Sequence, residues 1–515
     1  MTPPSENGGL TRRNLFIGTA AAIGSGILTA CGGVTDRTAE LQAAVDLRTM
    51  SGMHGISSGT STASLDVRGL TTDATAGFFQ PAVRSSVDGQ LSTVLSVAHT
   101  PVIIGTQVVQ AVTYEQSYPG PTLEIRPGDT LRVQLANDTD ENTNLHTHGL
   151  HVSPSGNSDN VLLTIEPGQR FDYEYDIPDD HPGGTLWYHA HLHGLSDKQV
   201  FGGLFGLLVL RGEFDELPGI AGLPERVMIL SQIDIADDEI VDGSDSSVGN
   251  QATLVNGQFQ PTLDIAQGEV QRWRICNASS VFYRLRLAGR QMFVVNIDGN
   301  SLTATTATDV LIVPPGGRAD VLVRGGDPGE SSFESMSWAD LGLFYTANMV
   351  PKGQSLIRVV TIASVAAEVA MPTTLLPMKD LRDVLIDRRR EFVLEEREPR
   401  GVGPNSHFNY FINGTQFDHH VVNETMKLNT TEEWEFINLT YEPHPVHIHV
   451  NPFQVISING EPSGENHYRD SAMVPPFGRI VIRHQFLDYT GKFVMHCHIL
   501  FHEDHGMMQL LEVVE

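Results

Sequence analysis

Beyond about residue 76 the apolar positions of the chain recur in short runs, and most of those runs alternate. In "TLRVQLAND" the residues Leu131, Val133 and Leu135 are interleaved with Arg132 and Gln134, and in "RFDYEYDIP" three aromatic residues alternate with acidic ones. Side chains two apart on a strand face the same side, so this period predicts half-buried β-strands. Runs such as "GLFGLLVLRG" and "ADVLVRGG" are apolar almost throughout and predict strands buried on both faces. Gly, Pro, Asn and Asp punctuate the runs as turn formers, and helical periodicity is scarce. Many short strands with turns between them predict an all-β chain of sandwiches or barrels.

The pattern also repeats. "YPGPTLEIRPGDTLRVQLANDT" from Tyr118 is echoed by "VNGQFQPTLDIAQGEVQRWRICNAS" from Val255 and by "INGTQFDHHVVNETMKLNTTEEWEFINLT" from Ile412. Each passes from a Gly-containing turn through a strand and a break into a second strand ending at an Asn. The spacing is too long for a solenoid and fits three copies of one β-domain, at about 76–215, 216–370 and 371–515. A length of 515 residues agrees, at roughly 150 residues per domain.

Charge and cysteine content narrow the class. A formal charge of −29 argues against binding nucleic acid or an anionic membrane through a general basic surface. The first 31 residues carry Arg12 and Arg13, then the mildly apolar "LFIGTAAAIGSGILTA", then Cys31. That order reads as an export signal, and the run is too short and too rich in Gly and Ala for a membrane span. The paired arginines resemble a twin-arginine signal and "LTAC" resembles a lipobox, which would make Cys31 a lipidated membrane tether on an exported protein. Residues 32–75, rich in Ser, Thr, Gly and Ala, read as a flexible tether. The remaining cysteines are Cys276, expected as a small buried hydrophobe, and Cys497, so no structural disulfide is expected.

Four short segments concentrate histidine: "HTHG" (His146, His148), "WYHAH" (His189, His191), "HPVHIH" (His444, His447, His449) and "HCHILFHEDHGMM", residues 496–508. On a strand each His-x-His pair presents two imidazoles in one direction, which is a ligand geometry. In "HCH" the alternation points His496 and His498 one way and Cys497 the other, so one tripeptide would touch two metal sites. Cys497 with His444, His502 and Met507 supplies the thiolate, two imidazoles and weak axial thioether of a blue-copper site, and the other eight histidines suit a multinuclear cluster.

On these segments the chain resembles a three-domain multicopper oxidase of the laccase type over about residues 80–515. The resemblance implies three consecutive cupredoxin-like Greek-key domains and four copper ions. It assigns His444, Cys497, His502 and Met507 to a shallow type 1 site, and His146 and His447 to type 2. Type 3 copper would take His148, His189 and His498 on one ion, and His191, His449 and His496 on the other. Glu503 and Asp159 are proton-donor candidates by the same resemblance. The middle domain, which reads "RLRLAGRQ" where the third copy has "HIH", is expected to serve as spacer and possible substrate wall. His193 is expected in a supporting role, His151 and His505 in solvated loops, Met508 in packing, and Trp187 and Tyr188 as a wedge on their strand.

The implied reaction couples one-electron oxidation of phenols or aromatic amines to four-electron reduction of O2 to water, with a small reducing substrate and O2 as partners. One alternative is a metallo-oxidase of Cu(I), Fe(II) or Mn(II), although the 14 methionines form no methionine-rich insert. A non-catalytic copper-binding protein would be expected to have lost ligands, and every expected position here is filled.

Overall fold

The computed structural model describes residues 70, 77–236, 239–240, 252–338, 353–397 and 409–515. The export signal, Cys31 and nearly all of the tether lie outside the described residues. No helix among the described residues is long and apolar enough to cross a membrane.

Six sheets fall into three pairs, each joining a five-stranded to a six-stranded sheet. The alternation read from the sequence is realised directly: in Thr130–Asn137, Leu131, Val133 and Leu135 are buried and Arg132 is exposed. Each fully buried Leu or Val contributes about 1.5–3 kcal/mol. Separate apolar cores fill the three pairs, around Leu95, Leu135 and Tyr175 in the first, Trp273 and Phe333 in the second, and Trp434, Phe436 and Phe453 in the third.

The three echoed segments build the same corner three times. Their final strands, Thr130–Asn137, Val270–Asn277 and Thr430–Asn438, each pair in parallel with an earlier strand and end at a buried Asn. Asn137, Asn277 and Asn438 each donate through Nδ2 to the carbonyl four residues on (Glu141, Val281, Glu442; 2.7, 2.8 and 2.6 Å). Each also accepts a hydroxyl two residues on, from Thr139, Ser279 and Thr440. A short amide is suited to this because it satisfies backbone groups that a turn leaves without partners.

The lobes join through an apolar cluster, in which Trp187, Leu207 and Val209 meet Ile229, Leu254 and Cys276, and through polar surface beside it. Val270–Asn277 is wholly buried although it carries Arg272 and Arg274. Both arginines reach Asp320 and Glu225 on the neighbouring strands of their own sheet, and both reach Asp215 from outside it. Thr185 of the first lobe donates to Asp320 at 2.5 Å. A strand that reads as polar is therefore buried because paired charges line the seam, as buried ions require. Two short strands beyond the expected boundary near 215, Ile235–Ala236 and Glu239–Ile240, join the six-stranded sheet of the first lobe.

Candidate metal centre

The histidine segments lie on the two five-stranded sheets of the outer lobes. His146–His148 pairs with Gly184–His189, setting His146 opposite His189. His444–Ile448 pairs with Gly491–Cys497, setting His447 opposite His496 and Val446 opposite Cys497. The antiparallel registers cluster the rings within each lobe, and the seam between the lobes brings the clusters together: His146 stacks on His449 at 3.9 Å and His148 on His447 at 3.7 Å.

Potential ligand atoms then fall into compact groups within 4.8 Å of one another. They are His146, His148 and His447; His148, His189 and His498; His191, His449 and His496; and His444, Cys497 and His502. The eight histidines outside the sulfur group are all buried. Most have one ring nitrogen held by the protein. Nδ1 of His146 meets Asp159 at 3.0 Å, Nδ1 of His189 meets the Ala190 carbonyl at 2.9 Å, and Nδ1 of His447 meets the Asp470 carbonyl at 2.8 Å. Nε2 of His148 meets Asp470 at 3.1 Å. The opposite nitrogens, Nε2 of His146, His189 and His447 and Nδ1 of His148, are buried with no hydrogen-bond partner among the described residues. Nε2 of His496 faces Nε2 of both His191 and His449, at 3.1 and 3.2 Å. Buried polar atoms are nearly always partnered, so a ring of inward lone pairs fits a bound metal.

Electrostatics agree. Burial first, and mutual repulsion second, hold His146, His148, His447, His449 and His498 well below the usual imidazole pKa, with His189 at about 3 and His191 at about 4. At neutral pH these rings are uncharged, the form that binds metal.

On the opposite face of the strand, Cys497 Sγ lies 3.5 Å from His444 Nδ1 and 3.7 Å from His502 Nδ1. The far ring nitrogens are fixed by Thr440 on His444 (2.8 Å) and approached by Glu442 on His502 (3.6 Å). Burial raises the Cys497 thiol well above its usual pKa, so its thiolate needs a cation beside it. Met507 is fully buried, and its carbonyl accepts from the Cys497 N–H at 3.0 Å. The expected shallow site is corrected here. Cys497, His444 and His502 are all buried, and Tyr410 stacks on His502 at 3.9 Å.

The carboxylates also take definite places. Asp159 accepts from Thr147 N–H at 2.9 Å and touches His146, and burial lifts its pKa to about 7 despite the Thr147 bonds. Glu503 is wholly buried, 3.0 Å from His496 Nδ1 and 3.5 Å from His191 Nδ1, and accepts from Ser196 Oγ at 2.8 Å. Burial acts to raise its pKa, and the two imidazoles more than offset that, so it stays ionised. Asp470 and Asp504 were not singled out from sequence. Asp504 adjoins Glu503, accepts from the backbone of Gly194 and Asp197, and is lifted to about 7 by burial and by the Glu503 charge.

His151 departs from the solvated-loop expectation. It is half-buried and bridges the lobes, Nδ1 donating to the Val450 carbonyl (2.8 Å) and Nε2 meeting Asp488 (2.9 Å). His505 is also half-buried, with Nδ1 donating to the Phe501 carbonyl at 2.8 Å. His193 is exposed and packs on Phe417, while Met508 packs with Val161, Val494 and Leu510. Trp187 stacks on His189 at 4.1 Å, which places it against the imidazole cluster.

Three family models, each described as multicopper oxidase, match residues 96–214, 233–333 and 394–515. The chain is similar to the multicopper oxidase mco of Staphylococcus haemolyticus, 28% identical over 417 residues that cover 78% of this chain and 83% of that protein. It is similar to the laccase of Bacillus subtilis, 25% identical over 475 residues, with 78% and 90% covered. The solved structure of a Campylobacter jejuni multicopper oxidase described as a metallo-oxidase superposes with a TM-score of 0.76 at 26% identity, covering 88% of this chain and 97% of that one.

Proposed function

The chain belongs to the multicopper oxidase family and has its all-β, cupredoxin-like architecture, and from that premise we propose a four-copper oxidase of phenols and aromatic amines. That it is a copper-dependent oxidoreductase using O2 and a reducing substrate follows from the family. The finer reading assigns His444, Cys497, His502 and Met507 to type 1 copper and His146 and His447 to type 2. His148, His189 and His498, with His191, His449 and His496, would hold the type 3 pair. The observation that carries it is the set of buried ring nitrogens without partners, facing one another across the seam.

The chemistry copper supplies when bound is one-electron acceptance beside the sulfur and four-electron reduction of O2 to water among the imidazoles. The protein's part is geometry and protons. Asp159 and the Asp470 carbonyl fix the tautomers of His146 and His447. The Cys497 backbone joins the sulfur to His496 and His498 through a few covalent bonds. Asp159 and Glu503 stand against the imidazoles where O2 reduction consumes protons and are the proposed donors, Glu503, ionised at rest, by taking up a proton and passing it on.

One observation favours oxidation of a metal cation as a second reading. Glu442 lies 3.6 Å from His502 Nε2, so negative charge sits beside the electron-entry imidazole. Oxygen uptake by copper-loaded protein, supplied in turn with a phenol and with Cu(I), separates the readings. Faster turnover of the phenol supports the first, faster turnover of Cu(I) the second, and no uptake with either leaves a copper-binding protein without oxidase activity. Export and a lipid tether on Cys31 are proposed from the sequence; Cys31→Ser should release the protein into the soluble fraction.

A further inference from the structure

The middle lobe sends an arginine to the residue behind the imidazole cluster. "PPGGRADVLV" turns at Gly316 and enters the strand Arg318–Arg324. Arg318 is buried, and all three nitrogens of its guanidinium donate. Nε donates to the Thr185 carbonyl of the first lobe (3.3 Å) and Nη1 to the Gly316 carbonyl (2.9 Å). The guanidinium fork closes on Asp470 of the third lobe, Nη1 to Oδ1 at 2.7 Å and Nη2 to Oδ2 at 2.5 Å. The Arg318 N–H donates to Asp298 Oδ1 at 2.8 Å.

Asp470 in turn touches two of the proposed copper ligands. Its Oδ1 accepts from His148 Nε2 (3.1 Å) and its backbone carbonyl accepts from His447 Nδ1 (2.8 Å). These rings are stacked at 3.7 Å and 12°, and their remaining nitrogens are the partnerless ones. Asp470 is thus the nearest partner of both rings, with Ser471 Oγ farther off at 3.4 Å from each, and its carboxylate is oriented by a two-pronged bond from Arg318. A lysine could supply the charge but not the fork.

We propose that Arg318 is a positioning residue for the copper cluster, acting through Asp470 on His148 and His447, so that the middle lobe helps to set copper geometry without supplying a ligand. The inference rests on the four-copper reading. Residues that orient metal-bound histidines typically change metal affinity by about 10- to 100-fold when removed.

The test uses full-length, copper-loaded protein. The wild type must first show the visible thiolate-to-copper charge-transfer band and its full copper complement; a colourless wild type refutes the copper assignment itself, before any variant is compared. Arg318→Gln is then expected to bind the copper held through His148 and His447 about 10- to 100-fold more weakly, with a diminished near-ultraviolet absorbance, an altered paramagnetic resonance spectrum for the His146/His447 ion and an unchanged charge-transfer band at Cys497. Arg318→Lys should fall between the two. Because Arg318→Gln leaves Asp470 as a buried charge without its partner, folding yield can suffer. The double variant Arg318→Gln/Asp470→Asn removes both charges, and it should recover thermal stability without recovering the resonance spectrum. Wild-type copper affinity and spectrum in Arg318→Gln overturn the proposal. So does a double variant in which stability and spectrum recover together, since that is the behaviour of a purely structural ion pair.

Discussion

Substituting Gly316 by alanine adds one methyl group at a position where its neighbours can be named. Gly316 has φ of +74°, and a Cβ placed there lies 2.6 Å from Cδ2 of His498 and 2.8 Å from both its Cγ and Nε2. Ordinary contact begins near 3.4 Å, so ring or loop must give by about 0.8 Å. His498 has little room to yield, with the rings of His148 at 5.0 Å and Trp187 at 5.6 Å. The left-handed backbone adds about 1–2 kcal/mol for any residue with a Cβ. A displacement of that size exceeds the roughly 0.5 Å tolerance of a positioned site. Gly316→Ala should therefore lower oxygen turnover by about 100-fold and diminish the near-ultraviolet absorbance of the type 3 pair. The visible band should persist, because Cys497 points to the other face of its strand. Copper content, both absorbances and oxygen consumption would be measured on the same preparation. Full copper, unchanged near-ultraviolet absorbance and unchanged turnover would show that His498 holds no copper there, or that the loop moves freely.

Three further outcomes are expected. Glu503→Gln should slow oxygen reduction at least tenfold while the visible band remains, since it removes a proton carrier that touches His496 and His191 but not the sulfur; an unaltered rate across pH discards that role. In copper-free protein Asp159, lifted by burial to about 7 from an ordinary 3.8, keeps its proton in the folded state while the unfolded chain releases it. Its contribution is thus fully present below pH 3.8 and lost as pH rises to 7, a slope that chemical denaturation should detect and Asp159→Asn should abolish. Met507→Leu should raise the reduction potential of the blue centre in a redox titration, and an unshifted potential would remove Met507 from the axial position.

The local parts of this architecture were legible because strands have a period of two. Leu131, Val133 and Leu135 announce their sheet, His146 and His148 announce a shared face, and Cys497 between two histidines announces ligand groups on both faces of one strand. The repeated strand-final Asn was visible as a pattern, although its work at the corner was not. What escaped depends on contacts between lobes. Arg318 and Asp470 are separated by 152 positions and Arg274 and Thr185 by 89, and no local periodicity links them. No alternation along the chain marks Arg272 and Arg274 for burial or sets Gly316 against His498. Burial of Cys497, His444 and His502 and the cover of Tyr410 over His502 escaped for the same reason, since Tyr410 meets His502 only in the folded lobe.

His191 and His496 stand 305 positions apart in the chain and 3.1 Å apart in space. A ribosome therefore releases the first half of the cluster long before the second exists, and a growing or truncated chain offers isolated pairs of imidazoles rather than a cage. Under the proposed copper assignment, oxygen chemistry is thereby withheld until both outer lobes have been made and have docked.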